Sequence, residues 1–335
     1  MAVSNKQQSK IFYYPSPSRI GYLNPYSYNY KEALGKEHNL INKENRSVIM
    51  MGLDFFINSF KADLFIINWL ESICFFRLGW IQFLLAQAGL WIIKKRRKKI
   101  VWMFHNIHPH QGNNRLSKRI QKDLFRQANL IISHSKEATE YAKKMTGQKV
   151  IFINHPIKPI KIKKINANIP PFDILIWGTL LPYKGIAEFI SHNEIQQSNI
   201  TIRILGICKD EELLKRINQY CNNHIIFENR KANFDEIAAY IQKSRYVLFP
   251  YIGSCVSSSG ALIDTLVLGG VPIGPNRGAF KDLAEQKLCL TYNNYEELIN
   301  LINSQYSIDN KTKESFISTN SWDNLVKTIF QIIKI

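Results

Sequence analysis

Three histidines fall within six residues, directly after an apolar run, in VWMFHNIHPH over residues 101–110. Imidazole can accept a proton, hydrogen-bond a substrate or bind a metal ion, and it also packs inside folded proteins. His105 stands where the apolar run ends. His108 and His110 flank Pro109, which places them on an extended turn and not on one helical face. No cysteine or acidic residue lies nearby at a ligand-like spacing, so we expect no metal ion here.

Two further groups that could transfer protons also follow apolar runs. Glu71 in NWLES follows the run at 64–68, and His134 follows the run at 129–133. The ordinary alternative for the carboxylate is to partner a helix N-terminus. Parallel strands end at one edge of their sheet, so Glu71 and His105 are expected at the same edge. Glu71 is the second candidate base, and His134 ranks after both.

A phosphate site is outlined by DILIWGTLLPYKG at 173–185. A predicted strand runs to Trp177, the chain turns at Gly178 and Thr179, and Lys184 stands at the start of a predicted helix. Glycine lets the backbone approach a ligand closely, and a lysine at a helix N-terminus adds positive charge where the helix dipole favours anions. The alternative is an ordinary strand-to-helix turn with a solvated lysine.

A second polar turn lies in VLFPYIGSCVSSSGALIDTLVLGGVPIGPNRG at 247–278. A strand predicted to end at Pro250 is followed by a loop of small residues and a helix. Serine hydroxyls and free N–H groups at the start of this helix could hold a diphosphate, and Asp264 could accept hydrogen bonds from sugar or ribose hydroxyls. The alternative is a capped helix with a structural aspartate. The chain has no Walker-type pattern, which excludes the commonest other phosphate loop.

The positive charge is confined to one half of the chain. The net charge of the 335 residues is +18, but residues 1–170 carry +19 and residues 171–335 carry −1. Two domains with different partners are therefore expected, the basic one facing phospholipid, a lipid pyrophosphate or nucleic acid. Five scattered cysteines favour a reducing compartment, and the N-terminal residues lack the apolar segment of a secretory signal.

Short apolar runs alternate with helix-like stretches, which predicts parallel sheets covered by helices on both faces. Strands are predicted at 10–14, 47–51, 64–68, 100–104, 129–133, 149–153, 173–177, 200–205, 224–227, 246–250 and 271–274. Helices are predicted at 72–93, 115–127, 185–191, 209–221, 233–243 and 259–269. The predicted fold class is α/β, with two Rossmann-like domains facing each other across a ligand-binding cleft.

The boundary between the domains is marked by composition. The segment HPIKPIKIKKINANIPP is rich in proline and lysine, has weak periodicity and is typical of a linker. We predict an N-terminal domain over 1–155, a linker over 156–171 and a C-terminal domain over 172–318. A final helix is also predicted over 319–335. It could cross back to pack on the first domain.

Several segments resemble, in order and spacing, those of GT-B glycosyltransferases. WGTLLPYKG, ILG, FPY, SSSGALIDTLVLGGVPIG and RGAFKDL are similar to the donor-binding domain. ADLFIINWLES, VWMFHNIHPH, ANLIISHS and VIFINHP resemble the acceptor domain of bacterial polysaccharide-assembling members. The resemblance spans nearly the whole chain. It implies the GT-B fold, with a nucleotide sugar on the second domain and an acceptor on the first.

The resemblance also implies site residues in both domains. The donor-binding set, for a UDP- or GDP-linked sugar, is Gly178, Thr179, Lys184, Arg230, Tyr251, Ser257, Ser258, Ser259, Gly260 and Asp264. The catalytic candidates are His105 and Glu71, and the acceptor or sugar contacts are Asn106, His108, His110 and His134. No cofactor and no metal ion is implied, because Lys184 and helix N-termini would stabilise the leaving diphosphate.

The sequence departs from the large retaining family of this fold. That family carries two glutamates before its Gly-x-Pro turn, at positions that Ser257 and Thr265 occupy here, and its phosphate-binding arginine falls near Thr179. Lys184 matches the second phosphate-binding position of the family, and Asp264 could take over ribose recognition. An inverting and a retaining reaction both stay open; an inverting one needs one of the two catalytic candidates as its base.

A long apolar stretch at 72–100 ends in six consecutive basic residues. Its length would allow a membrane span, but Arg77, two glutamines and the predicted strands on both sides argue against one. We predict a helix of the first domain whose outer face and basic end rest on an anionic bilayer. The alternative is a buried helix with a solvated charge run. The membrane candidates are Lys94, Lys95, Arg96, Arg97, Lys98 and Lys99.

Together these features predict a metal-independent hexosyltransferase that moves a sugar from a nucleotide sugar to a saccharide acceptor. A lipid-linked acceptor is favoured, in capsule, exopolysaccharide or glycan assembly. The protein would be cytoplasmic and peripheral on the inner face of the cell membrane. Two alternatives stay open. One is a GT-B enzyme of the hydrolysing-epimerase type, and the other is a basic nucleic-acid-binding protein, although no RNP-type, zinc-finger or helix-turn-helix pattern is found.

Overall fold

The chain forms two compact units. The first comprises Met1–Pro156 and Ser321–Ile335, and the second comprises Ile157–Asn320. The computed structural model describes residues 9–16, 24–44, 48–105, 107, 114–158, 160–161, 163, 168–252 and 259–334. The change from one unit to the other at Ile157 is fixed by packing, since this side chain is buried in the second unit and its N–H donates to the Asn320 carbonyl oxygen at 2.7 Å.

The first unit is built on six parallel strands. These are β1 (Lys10–Tyr14), β2 (Asn39–Leu40), β3 (Leu64–Asn68), β4 (Lys99–Met103), β5 (Leu130–Ser133) and β6 (Lys149–Phe152). They pair in the order β2-β1-β3-β4-β5-β6. All five residues of β3 are buried, as expected for a parallel strand covered on both faces.

The second unit has a sheet of the same size and kind. Its strands are β7 (Phe172–Trp177), β8 (Ile202–Leu205), β9 (Ile225–Glu228), β10 (Ser244–Leu248), β11 (Pro272–Pro275) and β12 (Leu290–Tyr292). Their order is β12-β11-β10-β7-β8-β9, and every pairing is parallel. This is the strand order of a dinucleotide-binding sheet.

Helices cover both faces of each sheet, so each unit has two apolar cores. The first unit contains α1 (Pro25–Glu37), α2 (Met51–Ser59), α3 (Gly79–Lys95), α4 (Arg115–Gln127) and α5 (Lys136–Met145). The second contains α6 (Ile186–Ile190), α7 (Asn193–Gln197), α8 (Glu211–Gln219), α9 (Phe234–Lys243), α10 (Gly260–Val267), α11 (Gly278–Glu285), α12 (Tyr295–Asn303) and α13 (Asn310–Thr319). The last helix, α14 (Trp322–Ile333), belongs to the first unit.

The strand predicted at 47–51 is wrong for its described residues. Residues 48–50 lie outside the sheet, and Met51 is the first residue of α2. The apolar run continues into a helical spacing, since Gly52, Phe55 and Ser59 are the buried residues of α2. A short apolar run does not by itself distinguish a strand from the first turn of a buried helix.

The helix predicted at 72–93 is divided in two. Leu70–Phe75 forms a 3-10 turn, and the chain passes through Leu78 at φ 56° before α3 begins. This reversal lets the 3-10 turn remain at the end of β3 while α3 packs alongside α2. α3 has 17 residues. No helix among the described residues combines the length and the apolar character that crossing a bilayer would need.

α14 covers one face of the first sheet with a regular apolar stripe. The ring of Trp322 lies 4.8 Å from that of Tyr26 and 5.5 Å from that of Tyr30. Lys36 of α1 pairs with Asp323 at 2.8 Å. The buried residues of the stripe repeat at the spacing of one helical face and are Trp322, Leu325, Val326, Ile329 and Ile333.

Trp322→Ala is expected to lower the free energy of unfolding of the first unit by about 3–5 kcal/mol, the usual cost of removing a buried tryptophan. Trp91→Ala removes the same atoms from a side chain that is 60% exposed, so it should change that free energy by less than about 0.5 kcal/mol. Urea unfolding of both variants measures the difference. Equal losses in the two variants would contradict the anchoring role of Trp322.

Candidate functional site

Strand order reverses beside the first strand of each sheet. In the second unit β7 pairs with β10, and in the first unit β1 pairs with β3. Ligands of doubly wound sheets bind outside the carboxyl ends of the strands at such a reversal. The segments that begin at Gly178 and at Phe249 therefore flank the expected site of the second unit. The ends of β1 and β3 flank that of the first.

Two close backbone approaches shape the site of the second unit. A Cβ atom on Gly185 would lie 2.2 Å from the Pro250 carbonyl oxygen, and one on Gly206 would lie 1.8 Å from the Gly178 carbonyl oxygen. Gly185 also adopts a φ of 65°. These contacts hold the segment after β7 directly against the segments after β10 and β8, and only glycine permits them.

Lys184 is the positive charge at this reversal. Its Nζ lies 5.9 Å from the ring centroid of Tyr251 and 3.6 Å from the position that a Cβ of Gly178 would take. Burial lowers the pKa of Lys184 to about 8, because desolvation disfavours the charged form. Among the described residues no carboxylate pairs with it. An anionic ligand would supply the missing partner.

The helix predicted to start at Lys184 and Gly185 begins at Ile186, with Gly185 as its N-cap residue. Pro182–Lys184 is a 3-10 turn, and α6 has only five residues. The side chain, and not a helix dipole, therefore supplies the charge at this position. Thr179, the residue after the turn glycine, is exposed.

Tyr251 connects Lys184 to the start of α10. Its hydroxyl lies 3.3 Å from Ser259 Oγ, and Ser259 in turn caps α10 by accepting from the Leu262 N–H. Gly260 is the exposed first residue of this helix. The structure thus brings Lys184, Tyr251 and the beginning of α10 together on one side of the reversal.

Asp264 is a half-buried carboxyl on α10. Burial raises its pKa to about 7, and no hydrogen bond or neighbouring charge among the described residues offsets that effect. The next residue, Thr265, accepts a hydrogen bond from Trp177 Nε1 at 3.0 Å, which fixes α10 to the end of β7. A carboxyl that is rigidly placed and unpaired is suited to accept hydrogen bonds from ligand hydroxyls.

Arg230 stands apart from this group. Its guanidinium donates to Glu228 at 3.0 Å and to Glu236 at 2.9 Å, so two carboxylates already offset its charge. It follows β9, which is separated from β7 by β8 in the sheet. The contact of Arg230 with the donor stays a prediction, since its guanidinium is already paired within the second unit.

A cavity of 320 Å³ at the carboxyl ends of β10, β11 and β12 was not predicted. Arg277 contributes a half-buried guanidinium that donates to the Tyr251 carbonyl oxygen at 2.7 Å, while its Nε has no partner among the described residues. The available signal was an arginine in the turn between a strand and a helix, in PNRG. The lining residues are Pro250, Tyr251, Ile252, Pro275, Asn276, Arg277, Tyr292, Asn293, Asn294 and Tyr295.

Glu71 lies at the reversal of the first unit, in the 3-10 turn after β3. Its side chain is buried, and its Oε2 has no hydrogen-bond partner among the described residues. Burial raises the pKa of Glu71 to about 7. The carboxyl also helps to raise the pKa of Tyr14, the last residue of β1, so the two side chains are neighbours. A carboxyl with a pKa near 7 suits proton transfer at neutral pH.

His105 is buried after β4 in a defined protonation state. Asn68 Nδ2 donates to the Tyr14 carbonyl oxygen at 3.0 Å, so Asn68 Oδ1 is the atom that accepts from His105 Nε2–H at 3.0 Å. The lone pair is then on Nδ1. The ring stacks on Trp69 at 4.2 Å. Burial, and then His134 among its neighbours, lowers the pKa of His105 well below its usual range, which makes it a weaker base than Glu71.

His134 is used within the protein. Its Nδ1 bonds the Ile153 carbonyl oxygen at 2.8 Å, and its Nε2 bonds the Tyr26 hydroxyl at 2.7 Å. Burial is the main cause that lowers its pKa to about 3. Both ring nitrogens of His134 are therefore engaged within the protein, and its contact with a saccharide stays a prediction. His155 was not among the residues predicted from the sequence. The centroid of its ring lies 5.4 Å from that of His134.

Five predicted site residues lie outside the described residues: Asn106, His108, His110, Ser257 and Ser258. Within the described part of the chain, no three His, Cys, Asp or Glu side chains are grouped as a metal ion would require.

No protein-family model and no curated protein sequence matches the chain. Solved structures match it along nearly its whole length. HepE of Anabaena, in complex with UDP and glucose, is 14% identical with a TM-score of 0.65, over 97% of this chain and 96% of that one. Sucrose-phosphate synthase of Thermosynechococcus elongatus is 10% identical with a TM-score of 0.69, over 98% of both chains.

A third similar structure is the lipopolysaccharide outer core galactosyltransferase WaaB, 11% identical with a TM-score of 0.65, over 96% of this chain and 99% of that one. The chain has the GT-B fold. The two parallel six-stranded sheets with flanking helices confirm the α/β class predicted from the sequence. At these identities the likeness to the GT-B structures concerns the fold alone.

Asp264→Asn is expected to stabilise the second unit in a pH-dependent way. The folded pKa of about 7 lies above the ordinary value of 3.8, so folding favours the protonated carboxyl and the ionised carboxyl costs stability. The variant should therefore melt at a higher temperature than the parent above pH 7. The advantage should shrink as the pH falls from 7 and vanish near pH 4. Thermal unfolding across this range measures it, and a pH-independent difference would contradict the environment described for Asp264.

Proposed function

We propose that the protein is a glycosyltransferase that moves a sugar from a nucleotide sugar to a saccharide acceptor. The observation that carries the proposal is Lys184, a half-buried ammonium without a carboxylate partner among the described residues, at the strand reversal of a nucleotide-binding type of sheet. The fold match to HepE, whose structure holds UDP and glucose, supports the choice of ligand class.

In this proposal Lys184 pairs with the diphosphate of the donor. Transfer of the sugar leaves negative charge on the departing nucleoside diphosphate, and a fixed ammonium in a partly desolvated site stabilises that charge as it develops. Lys184 supplies this stabilisation without a metal ion. Asp264, whose carboxyl lacks an internal donor among the described residues, accepts hydrogen bonds from hydroxyls of the ribose or the sugar.

Glu71 is the base that we favour for an inverting reaction. An efficient base has a pKa close to the working pH, and burial raises the pKa of Glu71 to about 7, whereas it holds the pKa of His105 well below its usual range. Glu71 would take the proton of the acceptor hydroxyl. His105, with its proton fixed on Nε2 by Asn68, would serve as a neutral contact through Nδ1.

We also propose a hexose as the transferred sugar and a lipid-linked saccharide as the acceptor, in the assembly of a surface polysaccharide. The support is the net charge of +19 on residues 1–170, which suits an acceptor carrying a lipid pyrophosphate. Among the similar structures, one contains UDP-glucose and another is the galactosyltransferase WaaB. The enzyme would then work on the inner face of the cell membrane.

Lys184→Ala is expected to weaken binding of UDP by about 1.5–3 kcal/mol, the range for a hydrogen bond to a charged group. Lys243→Ala is the matched control, because it removes an exposed lysine from α9 of the same unit and should leave UDP binding unchanged. Isothermal titration calorimetry measures both. Equal affinity of the Lys184 variant and the parent would remove this side chain from the donor site.

Glu71→Gln tests the base separately from donor binding. A base must be deprotonated, so kcat/KM of the parent should fall as the pH drops below about 7, the folded pKa of Glu71. The variant should lose on the order of 10²–10⁴-fold in turnover together with this pH limb, and it should bind UDP as the parent does. The assay follows UDP release from UDP-glucose with a membrane-lipid extract as acceptor. If His105→Gln abolishes the limb and Glu71→Gln retains it, His105 is the base.

A further inference from the structure

Large apolar side chains are exposed on one pair of helices in the first unit. Of the seventeen exposed large hydrophobic residues in the described part of the chain, nine lie between Ile49 and Trp91. Two of them are tryptophans, Trp80 at 62% and Trp91 at 60% exposure. Tryptophan side chains dominate interface energetics, so two in one segment left open to water mark a contact surface.

Six of these nine side chains lie on two stripes, one along each helix. Leu53 and Ile57 are separated by one turn on α2, and Phe60 follows at its end, while Trp80, Leu84 and Trp91 recur on one face of α3. We call these six residues the outer apolar face: Leu53, Ile57, Phe60, Trp80, Leu84 and Trp91.

The two stripes belong to one surface because α2 and α3 are packed together. The Gly52 N–H of α2 donates to Gln82 Oε1 of α3 at 3.2 Å. Phe55 of α2 and Leu90 of α3 are both buried in the same core cluster against the sheet. The side of each helix that carries these buried residues therefore faces the sheet. The outer apolar face lies on the other side and faces away from the sheet.

The exposed charged side chains of this segment are basic, whereas its acidic side chains are engaged or buried. Lys61, Arg77, Lys94, Lys95 and Arg97 are exposed in the same segment. The acidic residues of the segment are engaged or hidden: Asp54 accepts from Asn58 at 3.0 Å, Asp63 pairs with Lys98 at 2.7 Å, and Glu71 is buried.

Only part of the basic run from Lys94 to Lys99 is available to a partner. Arg96 donates to the Ala62 carbonyl oxygen at 3.1 Å, Lys98 pairs with Asp63, and Lys99 donates to the Ile333 carbonyl oxygen at 2.7 Å. These three side chains make contacts within the first unit. We therefore base the proposed membrane contact on the other three basic residues of the run. The remaining three, Lys94, Lys95 and Arg97, are exposed at the end of α3, and we call them the basic rim.

We propose that the outer apolar face and its basic rim dock on the surface of a bilayer that contains anionic lipid. Tryptophan rings suit the boundary between acyl chains and headgroups, and lysines beside them can reach the phosphates. Lys95 and Trp91 form such a pair, with Lys95 Nζ 5.5 Å from the centroid of the Trp91 ring. A second copy of the chain would bring two positive rims together, so charge disfavours it as the occupant.

The full-length protein tests this with vesicles of phosphatidylcholine alone and of an equal mixture of phosphatidylcholine and phosphatidylglycerol. The parent should sediment with the mixed vesicles and much less with the neutral ones. Trp80→Ser combined with Trp91→Ser should reduce binding at least about tenfold, because apolar burial contributes to interfacial binding. Met145→Ser combined with Phe234→Ser removes exposed apolar side chains elsewhere and should bind as the parent does.

The rim is tested by replacing Lys94, Lys95 and Arg97 with glutamine. At about 1 kcal/mol for each basic group near an anionic surface, binding to the mixed vesicles should fall about 10²-fold. The control replaces Arg115, Lys118 and Lys122 with glutamine. It removes the same amount of charge from the exposed side of α4 and should reduce vesicle binding much less. Circular dichroism checks that every variant is folded.

Three results would overturn the proposal. The first is an absence of parent binding to either vesicle, and the second is unchanged binding of the folded double tryptophan variant. The third is a dimer of the parent in analytical ultracentrifugation that the double tryptophan variant loses, which would assign the face to a second copy. Vesicle binding does not depend on the proposed chemistry, since UDP binding is measured by calorimetry in the absence of lipid.

Discussion

The reversal of strand order beside the first strand of each sheet is the constraint on which the candidate sites depend. Because β7 pairs with β10, the chain segments that follow these two strands meet outside the same edge of the sheet. That meeting places Lys184 over Tyr251 and puts Tyr251 against the cap of α10. The pairing of β1 with β3 does the same for Tyr14 and Glu71. The strand order brings Lys184 to Tyr251 and Glu71 to Tyr14, although the two members of each pair are far apart in sequence.

Burial without pairing is what distinguishes the candidate residues from the other ionisable groups at the strand ends. Arg230 and His134 are also at strand ends, but their polar atoms are satisfied by carboxylates, a hydroxyl and a carbonyl of the protein itself. Lys184 and Asp264 lack such compensation among the described residues, and Glu71 has only a hydrogen bond from its own backbone, so desolvation dominates the pKa of each. An unpaired ionisable group costs stability in the folded protein, and a ligand that supplies its partner recovers that cost.

The fold was largely predictable because short apolar runs alternate with helix-like stretches along the whole chain, which is typical of parallel α/β sheets. The apolar run at 64–68 predicts β3 with the bounds that it has in the structure, whereas the run at 47–51 predicts a strand although α2 begins within it. The site was less predictable. Lys184 was identified from its turn, but its partner-free environment depends on which carboxylates the fold brings near. Arg230 illustrates the limit, because Glu228 and Glu236 are supplied by β9 and α9, and spacing alone does not show that they engage it.

Helix α3 packs one side in the core of the first unit and exposes large apolar side chains on the other. A helix that is apolar all round is ordinarily buried, and the sequence of α3 is close to that pattern. The buried side of α3 is held by Gln82, which bonds α2, and by Leu90 in the core. Trp80 and Trp91 are mostly exposed and contribute little to this inner packing. The outer side is then free to carry large apolar groups whose burial is not needed for folding, which is the arrangement that a reversible contact with a lipid surface requires.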